Sequence, residues 1–226
     1  NILKGSGTVR ANGANGGHVG GHFGGGSGGR VAVYYNDATL FGLEKVHAIG
    51  GIGYSDVEDG AAGTVYLEDN GQPKDQAVVR IDNGGNTGSV GYTLISKSAL
   101  QQDQWIVSNG HNNSVVRVEG DYSEKDSDLL VDGVTIELIG TYNFDQINLQ
   151  NGAILKTAAA DDDQSPVFEI YANDIEISSG AEITVSGKGL LASGGAGGYY
   201  GGSYGGMGGT NGAYGTPNAP FGDLYS

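Results

Sequence analysis

Short runs in which apolar and polar residues alternate occupy the middle of this 226-residue chain. A period of two residues is typical of β-strands, and no segment shows the three-and-four spacing of apolar residues that indicates a helix. Turn-forming pairs such as Asn109-Gly110 and Asp132-Gly133 separate many of the runs. The pattern predicts an all-β protein with strands at 78–81, 92–95, 105–107, 115–118, 134–138, 147–149, 154–155, 167–170, 175–177 and 183–185.

The spacing of the core-type residues favours one of two all-β architectures. Successive steps of 11, 7, 14, 7 and 8 residues separate Ile136, Ile147, Ile154, Phe168, Ile175 and Ile183. Steps of this size, with one longer excursion, suit stacked coils of roughly 20 residues each. We therefore expect a β-solenoid with long Gly-rich loops, and an irregular β-sandwich is the alternative.

Glycine is distributed unevenly along the chain. Of the 44 glycines, 18 lie in residues 1–63 and 15 in residues 187–226, so the remaining 11 fall in the strand-rich middle, residues 64–186. We interpret 1–226 as a single domain with two Gly-rich ends. Because ordering glycine loops costs about 1–2 kcal/mol of backbone entropy per residue, backbone hydrogen bonds between loops or packed tyrosines must hold them.

The charge balance and the lack of cysteine exclude several classes of protein. A net charge of −15 argues against a nucleic-acid partner and against anionic membranes. No disulfide or thiolate metal site is available, because the sequence contains no cysteine. No apolar run is long enough to span a bilayer, so we expect no membrane insertion.

Most of the negative charge lies between residues 119 and 182, where 15 Asp and Glu face only two basic residues, Lys125 and Lys156. Clustered carboxylates on turns are what Ca²⁺ prefers, although no EF-hand spacing occurs. Two interpretations remain open, a structural Ca²⁺ site and a solvated acidic face, and no other cofactor is expected. The candidate metal ligands are Asp126, Asp128, Asp161, Asp162 and Asp163.

No catalytic motif stands in the context that its chemistry requires. The pattern G-x-S-x-G occurs around Ser27 and Ser203, but both copies lie in glycine loops rather than in a strand–turn–helix. His18 and His22 are four residues apart in another glycine loop, which suits polar loop residues better than a two-histidine metal site. We expect a protein that is not an enzyme, and a polysaccharide-degrading enzyme is the alternative.

Tyrosines beside glycine supply the candidate contact residues. Tyrosine combines a flat ring with one hydrogen-bonding tip, which suits a sugar ring or a partner surface. The candidate residues for a glycan or partner contact are Tyr199, Tyr200, Tyr204 and Tyr214. Asn112 heads the sequence Asn-Asn-Ser, a glycosylation site if the source is eukaryotic.

Two glycine-rich segments resemble repeats of a known kind. Residues 24–35 read GGGSGGRVAVYY and residues 60–67 read GAAGTVYL, followed by DNGG at 82–85. They are similar to the GGGSGGRIAIYY and GGAGTVYL elements of large secreted bacterial adhesin-like proteins and of algal and oomycete extracellular proteins. The resemblance implies a right-handed parallel β-helix at an extracellular or cell-surface location.

The order of these elements differs from the order in the known repeats. There, the part that the segment at 183–222 resembles comes before the part that the start of this chain resembles. The chain thus resembles one period of a tandem array cut within a repeat. This order predicts head-to-tail contacts between copies or neighbouring repeats, through Ile2, Leu3, Phe221, Leu224 and Tyr225. We expect a structural or adhesive module of an extracellular fibre, surface appendage or giant adhesin. The alternative is a carbohydrate-binding module or a lyase-like or hydrolase-like domain that acts on polysaccharide.

Overall fold

The structure, a computed structural model, describes residues 1–18, 20–72, 77–86, 92–95, 104–108, 115–120, 122–159 and 167–188. These residues form fifteen strands and one short 3-10 turn, Leu43–Lys45, which confirms the predicted all-β class. No helix in this part of the chain is long and apolar enough to cross a membrane. The strands are β1 (Ile2–Lys4), β2 (Val9–Arg10), β3 (Arg30–Tyr35), β4 (Asp37–Leu40), β5 (Val46–His47), β6 (Thr64–Asp69), β7 (Val78–Asp82), β8 (Tyr92–Ile95), β9 (Gln104–Ser108), β10 (Val115–Glu119), β11 (Tyr122–Asp132), β12 (Thr135–Gln150), β13 (Ile154–Lys156), β14 (Phe168–Ile177) and β15 (Glu182–Thr184).

The strand positions predicted in the middle of the chain are confirmed, but two pairs of predicted strands are single long ones. The predicted runs 134–138 and 147–149 both belong to β12. The predicted runs 167–170 and 175–177 both belong to β14. Gly140 does not break β12, since its backbone pairs with Phe168 of β14. Between the two predicted runs, Tyr142 and Phe144 are buried and the residues beside them are half-buried, so the alternation of the strand continues there.

Eleven of the described strands form one mixed sheet that curls into a half-barrel. One limb, called the first limb, contains β8, β10, the start of β12 (135–139), β13 and β15. The second limb contains β7, β9, β11, the rest of β12 (140–149) and β14. β12 belongs to both limbs and therefore joins them. Beyond β7 the sheet continues through β6 to β3.

The prediction of a right-handed parallel β-helix is wrong. Such a helix requires strands that all run in one direction around one core. Here β7 runs antiparallel to β6, although the other ladders among the described strands are parallel. The curled, mixed sheet is closer to the irregular β-sandwich, the alternative architecture. The sequence pattern did not reveal this because parallel and antiparallel strands share the same two-residue alternation.

The buried side of the sheet changes where β6 meets β7. Val65 and Arg80 lie directly opposite each other, so their side chains point to the same side of the sheet. Val65 belongs to a small first core with Phe41 and Val46. The neighbouring residue on β7, Val79, points to the other side and belongs to a larger second core. The antiparallel junction therefore separates two hydrophobic cores.

The second core lies between the two limbs and consists of columns of residues in register. Trp105, Leu129 and Ile147 occupy equivalent positions on three neighbouring strands and are almost completely buried. The Phe144 ring meets Trp105 edge-on at 5.6 Å and stacks on Tyr142 at 6.1 Å between ring centroids. Full burial of one such side chain stabilises the fold by about 1.5–3 kcal/mol. This core fixes the limbs against each other.

Three chain segments form a hydrogen-bonded layer that we call the glycine mat, which consists of residues 11–18, 20–29 and 47–63. Its segments are joined by backbone hydrogen bonds, including Gly13 N to Ile49 O at 2.8 Å and Gly26 N to Ala14 O at 2.8 Å. A Cβ atom on Gly25 would overlap the carbonyl oxygen of Gly51. The predicted tethering of glycine loops by backbone hydrogen bonds is thus confirmed at this end of the chain. The tail from residue 189 onward lies outside the described residues.

Candidate functional site

The outer side of the first limb carries a row of side chains, all but one of them polar, which we call the Glu137 face. The parallel register aligns one residue from each of five neighbouring strands, which are spaced about 4.8 Å apart. The row consists of Leu94, Arg117, Glu137, Lys156 and Thr184. The residues on either side of the central member point inward, as Ile136 and Leu138 do beside Glu137, and Val116 and Val118 do the same beside Arg117. Core packing therefore fixes the direction of the row.

Glu137 lies at the centre of the row and is surrounded by cations. Arg117 donates hydrogen bonds to its Oε2 from Nε at 3.0 Å and from Nη2 at 2.7 Å. Lys156 Nζ lies 3.7 Å and Lys188 Nζ 3.9 Å from Oε1. The Glu137 side chain is only 8% exposed, whereas the three cationic side chains are 19–25% exposed. The cations thus cover the carboxylate and present their outer surfaces to solvent.

An exposed aromatic ring continues the face on the Arg117 side. The guanidinium carbon of Arg117 lies 4.0 Å from the centroid of the Tyr92 ring, within the range of a cation–π contact. Tyr92 is 43% exposed, and Leu94 beside it on β8 is 48% exposed. Burial acts to lower the pKa of Arg117, but the hydrogen bonds and charge of Glu137 outweigh it and raise the pKa. Arg117 therefore remains a fixed cation between a ring and a carboxylate.

The cluster around Glu137 gathers three cationic side chains of an acidic protein at one point of the face. One carboxylate faces three cations in this cluster, whereas the whole chain has a net charge of −15 with only 11 Lys and Arg. Lys156 and Lys188 lie beyond hydrogen-bonding distance of Glu137, so their N–H groups can donate to another acceptor. The arrangement offers oriented donors beside a flat ring, which can bind a ligand with several hydroxyl or acidic oxygens.

The metal ligands predicted from the sequence are not brought together by the described residues. Asp128 lies in β11, in register between Gln104 and Gln146, and Asp126 lies in the same strand. No group of three His, Cys, Asp or Glu able to hold an ion occurs in the described part of the chain. Asp161, Asp162 and Asp163 lie outside the described residues. A structural Ca²⁺ ion therefore stays a prediction.

The other predicted contact residues are only partly described. Ile2 is 68% exposed in β1, and Leu3 is half-buried against the first core. The tail residues of the predicted assembly contact, the four candidate tyrosines and the glycosylation site lie outside the described residues. They are Phe221, Leu224, Tyr225, Tyr199, Tyr200, Tyr204, Tyr214 and Asn112.

No contiguous motif in the sequence marks the Glu137 face, although the strand pattern carries a signal for it. Its ionic members are far apart in sequence, at positions 117, 137, 156 and 188. Three of them nevertheless share a local pattern, since Arg117, Glu137 and Lys156 each follow a buried aliphatic residue in a predicted strand. These charged residues also recur at intervals of 20 and 19 residues. This recurrence places them at equivalent positions of neighbouring strands.

Comparisons with known proteins identify no relative. No protein-family model matches the sequence, and neither a curated protein nor a solved structure matches the chain. The resemblance of the glycine-rich segments to extracellular repeats therefore stays a prediction.

Proposed function

We propose that this domain is a carbohydrate-binding module that binds a polysaccharide chain across the Glu137 face. The observation that carries the proposal is the exposed Tyr92 ring stacked on Arg117, beside the cations around Glu137. An aromatic ring can pack against the apolar face of a pyranose. The charged donors beside it can bind the hydroxyl groups at the edge of the same ring.

The direction and spacing of the row support a chain-like ligand rather than a small one. Arg117 and Lys156 are two strands apart, which places their Cα atoms roughly 9–10 Å from each other at the usual strand spacing. The face extends further in both directions, to Leu94 and to Thr184. A small molecule would contact only part of this open surface, whereas successive sugars of a polymer would contact the whole row.

The excess of positive charge favours an acidic polysaccharide. Because Glu137 balances only one of its three cationic neighbours, the cluster itself keeps an excess of positive charge. The exposed Glu119 and Glu182 lie on the same side of the first limb and limit this excess to the cluster. Carboxylate or sulfate groups on the sugars would bind to Lys156 and Lys188. Acidic polysaccharides of this type are abundant outside cells, which agrees with the predicted extracellular or cell-surface location.

Affinity electrophoresis through gels that contain one polysaccharide each tests the proposal. Polygalacturonate supplies carboxylates, carrageenan supplies sulfates, and dextran is the neutral reference. We expect the first or the second to retard the protein and added salt to weaken the retardation, because the contacts are partly ionic. Equal mobility in all three gels and in a gel without polysaccharide would refute the proposal.

Variants of the face locate the binding. Tyr92→Ala should weaken binding about tenfold, equivalent to ~1.4 kcal/mol, by removing the stacking ring. Lys156→Ala and Lys188→Ala should each weaken binding to the acidic polymer and reduce its salt dependence. Tyr171→Ala is the matched control, since Tyr171 is an exposed tyrosine on the second limb. Binding that is lost with Tyr171→Ala but not with Tyr92→Ala would place the site elsewhere.

Self-association is a second candidate function, favoured by exposed apolar residues at the end of the sheet. Ile175 and Ile177 in β14 are in register with the buried residues Ile147 and Leu149, yet they are 44% and 47% exposed. Among the described strands, β14 pairs only with β12. A second copy could continue these columns and cover the isoleucines. Sedimentation velocity should show oligomers that Ile175→Lys abolishes, and a monomer at all concentrations would exclude this function.

A further inference from the structure

A turn of the glycine mat brings two histidines, His18 and His22, face to face. His18 and His22 form an antiparallel bridge, and the turn is closed by a hydrogen bond from Phe23 N to Gly17 O at 3.3 Å. Gly20 has a φ of +70°, a conformation that glycine adopts without strain. Residues opposite each other in an antiparallel pair project to the same side. Both imidazoles therefore lie on one side of the turn.

The two imidazoles are exposed and lie against a third ring. Their centroids are 5.4 Å apart, and each lies 5.2–5.4 Å from the centroid of the Tyr54 ring. The space around the turn is open, since a Cβ atom on Gly17, Gly20 or Gly21 would meet no atom within 4 Å. An ion can therefore reach the histidines from solvent.

The separation of the two imidazoles matches that of two ligands on one metal ion. With metal–nitrogen bonds of about 2.0–2.1 Å and a tetrahedral angle, the ring centroids of two bound imidazoles lie roughly 5 Å apart. Small rotations of the exposed side chains would therefore be enough to bring one nitrogen of each ring to the same ion.

We propose that His18 and His22 form a binding site for one divalent transition-metal ion of the class that imidazole prefers, such as Cu²⁺, Ni²⁺ or Zn²⁺. Water completes the coordination on the open side. Such sites usually bind Cu²⁺ most tightly of these ions. The site is independent of the Glu137 face, and its function is to pin the turn that joins two segments of the glycine mat.

Tyr54 acts as a positioning residue for the two imidazoles. Its backbone is held on both sides, because Tyr54 N donates to Phe23 O at 3.0 Å and Val57 N donates to Tyr54 O at 3.3 Å. The ring therefore stays beside the histidines and limits their rotation. A site with restricted ligands binds its ion more tightly than one with freely rotating ligands.

Titration of the tag-free protein with Cu²⁺, followed by calorimetry and by electron paramagnetic resonance, tests the site. We expect one tightly bound ion per chain and a spectrum that shows nitrogen ligands. His18→Gln and His22→Gln should each weaken the binding at least tenfold, roughly the loss expected when a metal-ligand contact is disrupted. His47→Gln, which changes a histidine of β5, should bind like the wild type.

The outcomes separate a metal site from a merely structural ring cluster. Wild-type affinity in either His18→Gln or His22→Gln would overturn the proposal, as would wild-type binding no tighter than that of the double variant. Tyr54→Phe should retain the affinity, whereas Tyr54→Ala should weaken it several-fold while the unfolding curve without metal shifts little. Equal affinity in Tyr54→Ala and wild type would overturn the positioning role of Tyr54.

Discussion

The guanidinium of Arg80 donates a 3.0 Å hydrogen bond to the backbone carbonyl of Leu43, across the boundary between the two cores. A second hydrogen bond from the same nitrogen goes to the carbonyl of Val46. Arg80 lies in β7, the strand at which the buried side of the sheet changes. Burial lowers the pKa of Arg80, and Asp82 and Glu44 oppose this effect by their charge. The residue thus connects the second core to the short turn beside the first.

Replacement of Arg80 should weaken the connection between the cores. Arg80→Met keeps most of the aliphatic stem but removes both hydrogen bonds to backbone carbonyls. We expect a loss of about 1.5–3 kcal/mol in the free energy of unfolding, as is typical of hydrogen bonds made by a charged group. Urea denaturation measures the loss, with the exposed Arg30→Met as the control. Equal effects of the two variants would show that Arg80 is an ordinary surface residue.

Close packing in the glycine mat gives a prediction with an internal control. Gly25→Ala places a methyl group against the carbonyl of Gly51, so the mat has to shift. The free energy of unfolding should therefore fall by about 1–3 kcal/mol or more. Gly17→Ala meets open space and should be neutral or slightly stabilising. Thermal unfolding of the two variants makes the comparison. Similar melting temperatures for both would contradict the observed packing of the mat.

The sequence predicted the strands well because the second core imposes a regular alternation. The patterns at 78–81 and 92–95 correspond to β7 and β8 almost residue for residue. The runs at 134–138 and 147–149 predict two strands, whereas the structure has the single strand β12. In the structure, pairing with β14 keeps this segment extended. Local pattern thus located the strands but not their continuity.

The architecture and the Glu137 face depended on contacts that a single sequence does not state. Val65 and Val79 look alike in the pattern, yet they are buried on opposite sides of the sheet. The difference arises from the antiparallel pairing of β6 and β7, which the parallel β-helix prediction did not include. Likewise, Glu137 was counted within an acidic region, whereas its cationic neighbours come from strands and a loop distant in sequence.

Neutralisation of Glu137 should destabilise the fold through its cations. Glu137→Gln leaves Arg117, Lys156 and Lys188 together without their shared counter-charge. We expect the free energy of unfolding to fall by about 1.5–3 kcal/mol, because the buried hydrogen bonds to a charged acceptor are weakened. Chemical denaturation at low and high salt measures this loss. Salt should reduce the difference in unfolding free energy between wild type and Glu137→Gln, because it screens the repulsion between the cations. Glu169→Gln, an exposed residue of β14, should differ from wild type by less than about 1 kcal/mol.

Tyr66 should make the stability decrease at alkaline pH. Burial, followed by the hydrogen bond from its hydroxyl to Glu68 at 2.6 Å, raises the pKa of Tyr66 above its ordinary value. The folded state therefore favours the protonated phenol. This contribution is complete below the unfolded pKa of about 10 and is lost as the pH rises through the higher folded pKa.

The comparison of wild type with Tyr66→Phe isolates this effect. The variant has no phenol to ionise, so the stability difference between the two proteins should narrow as the pH rises above about 10. Melting temperatures measured across that range give the difference, and Tyr171→Phe controls for the loss of an exposed phenol. A difference that stays constant with pH would show that Tyr66 does not titrate differently in the two states.

Backbone NMR during titration with galacturonate oligosaccharides tests binding to the Glu137 face most directly. Binding at this face predicts amide shift changes at residues 92–95, 115–119, 135–139, 154–156 and 182–188, and little change at 168–177 on the second limb. The Tyr92→Ala protein should show the same shifts only at higher oligosaccharide concentration. Shift changes confined to the second limb or the glycine mat, or none at all, would contradict binding at the Glu137 face.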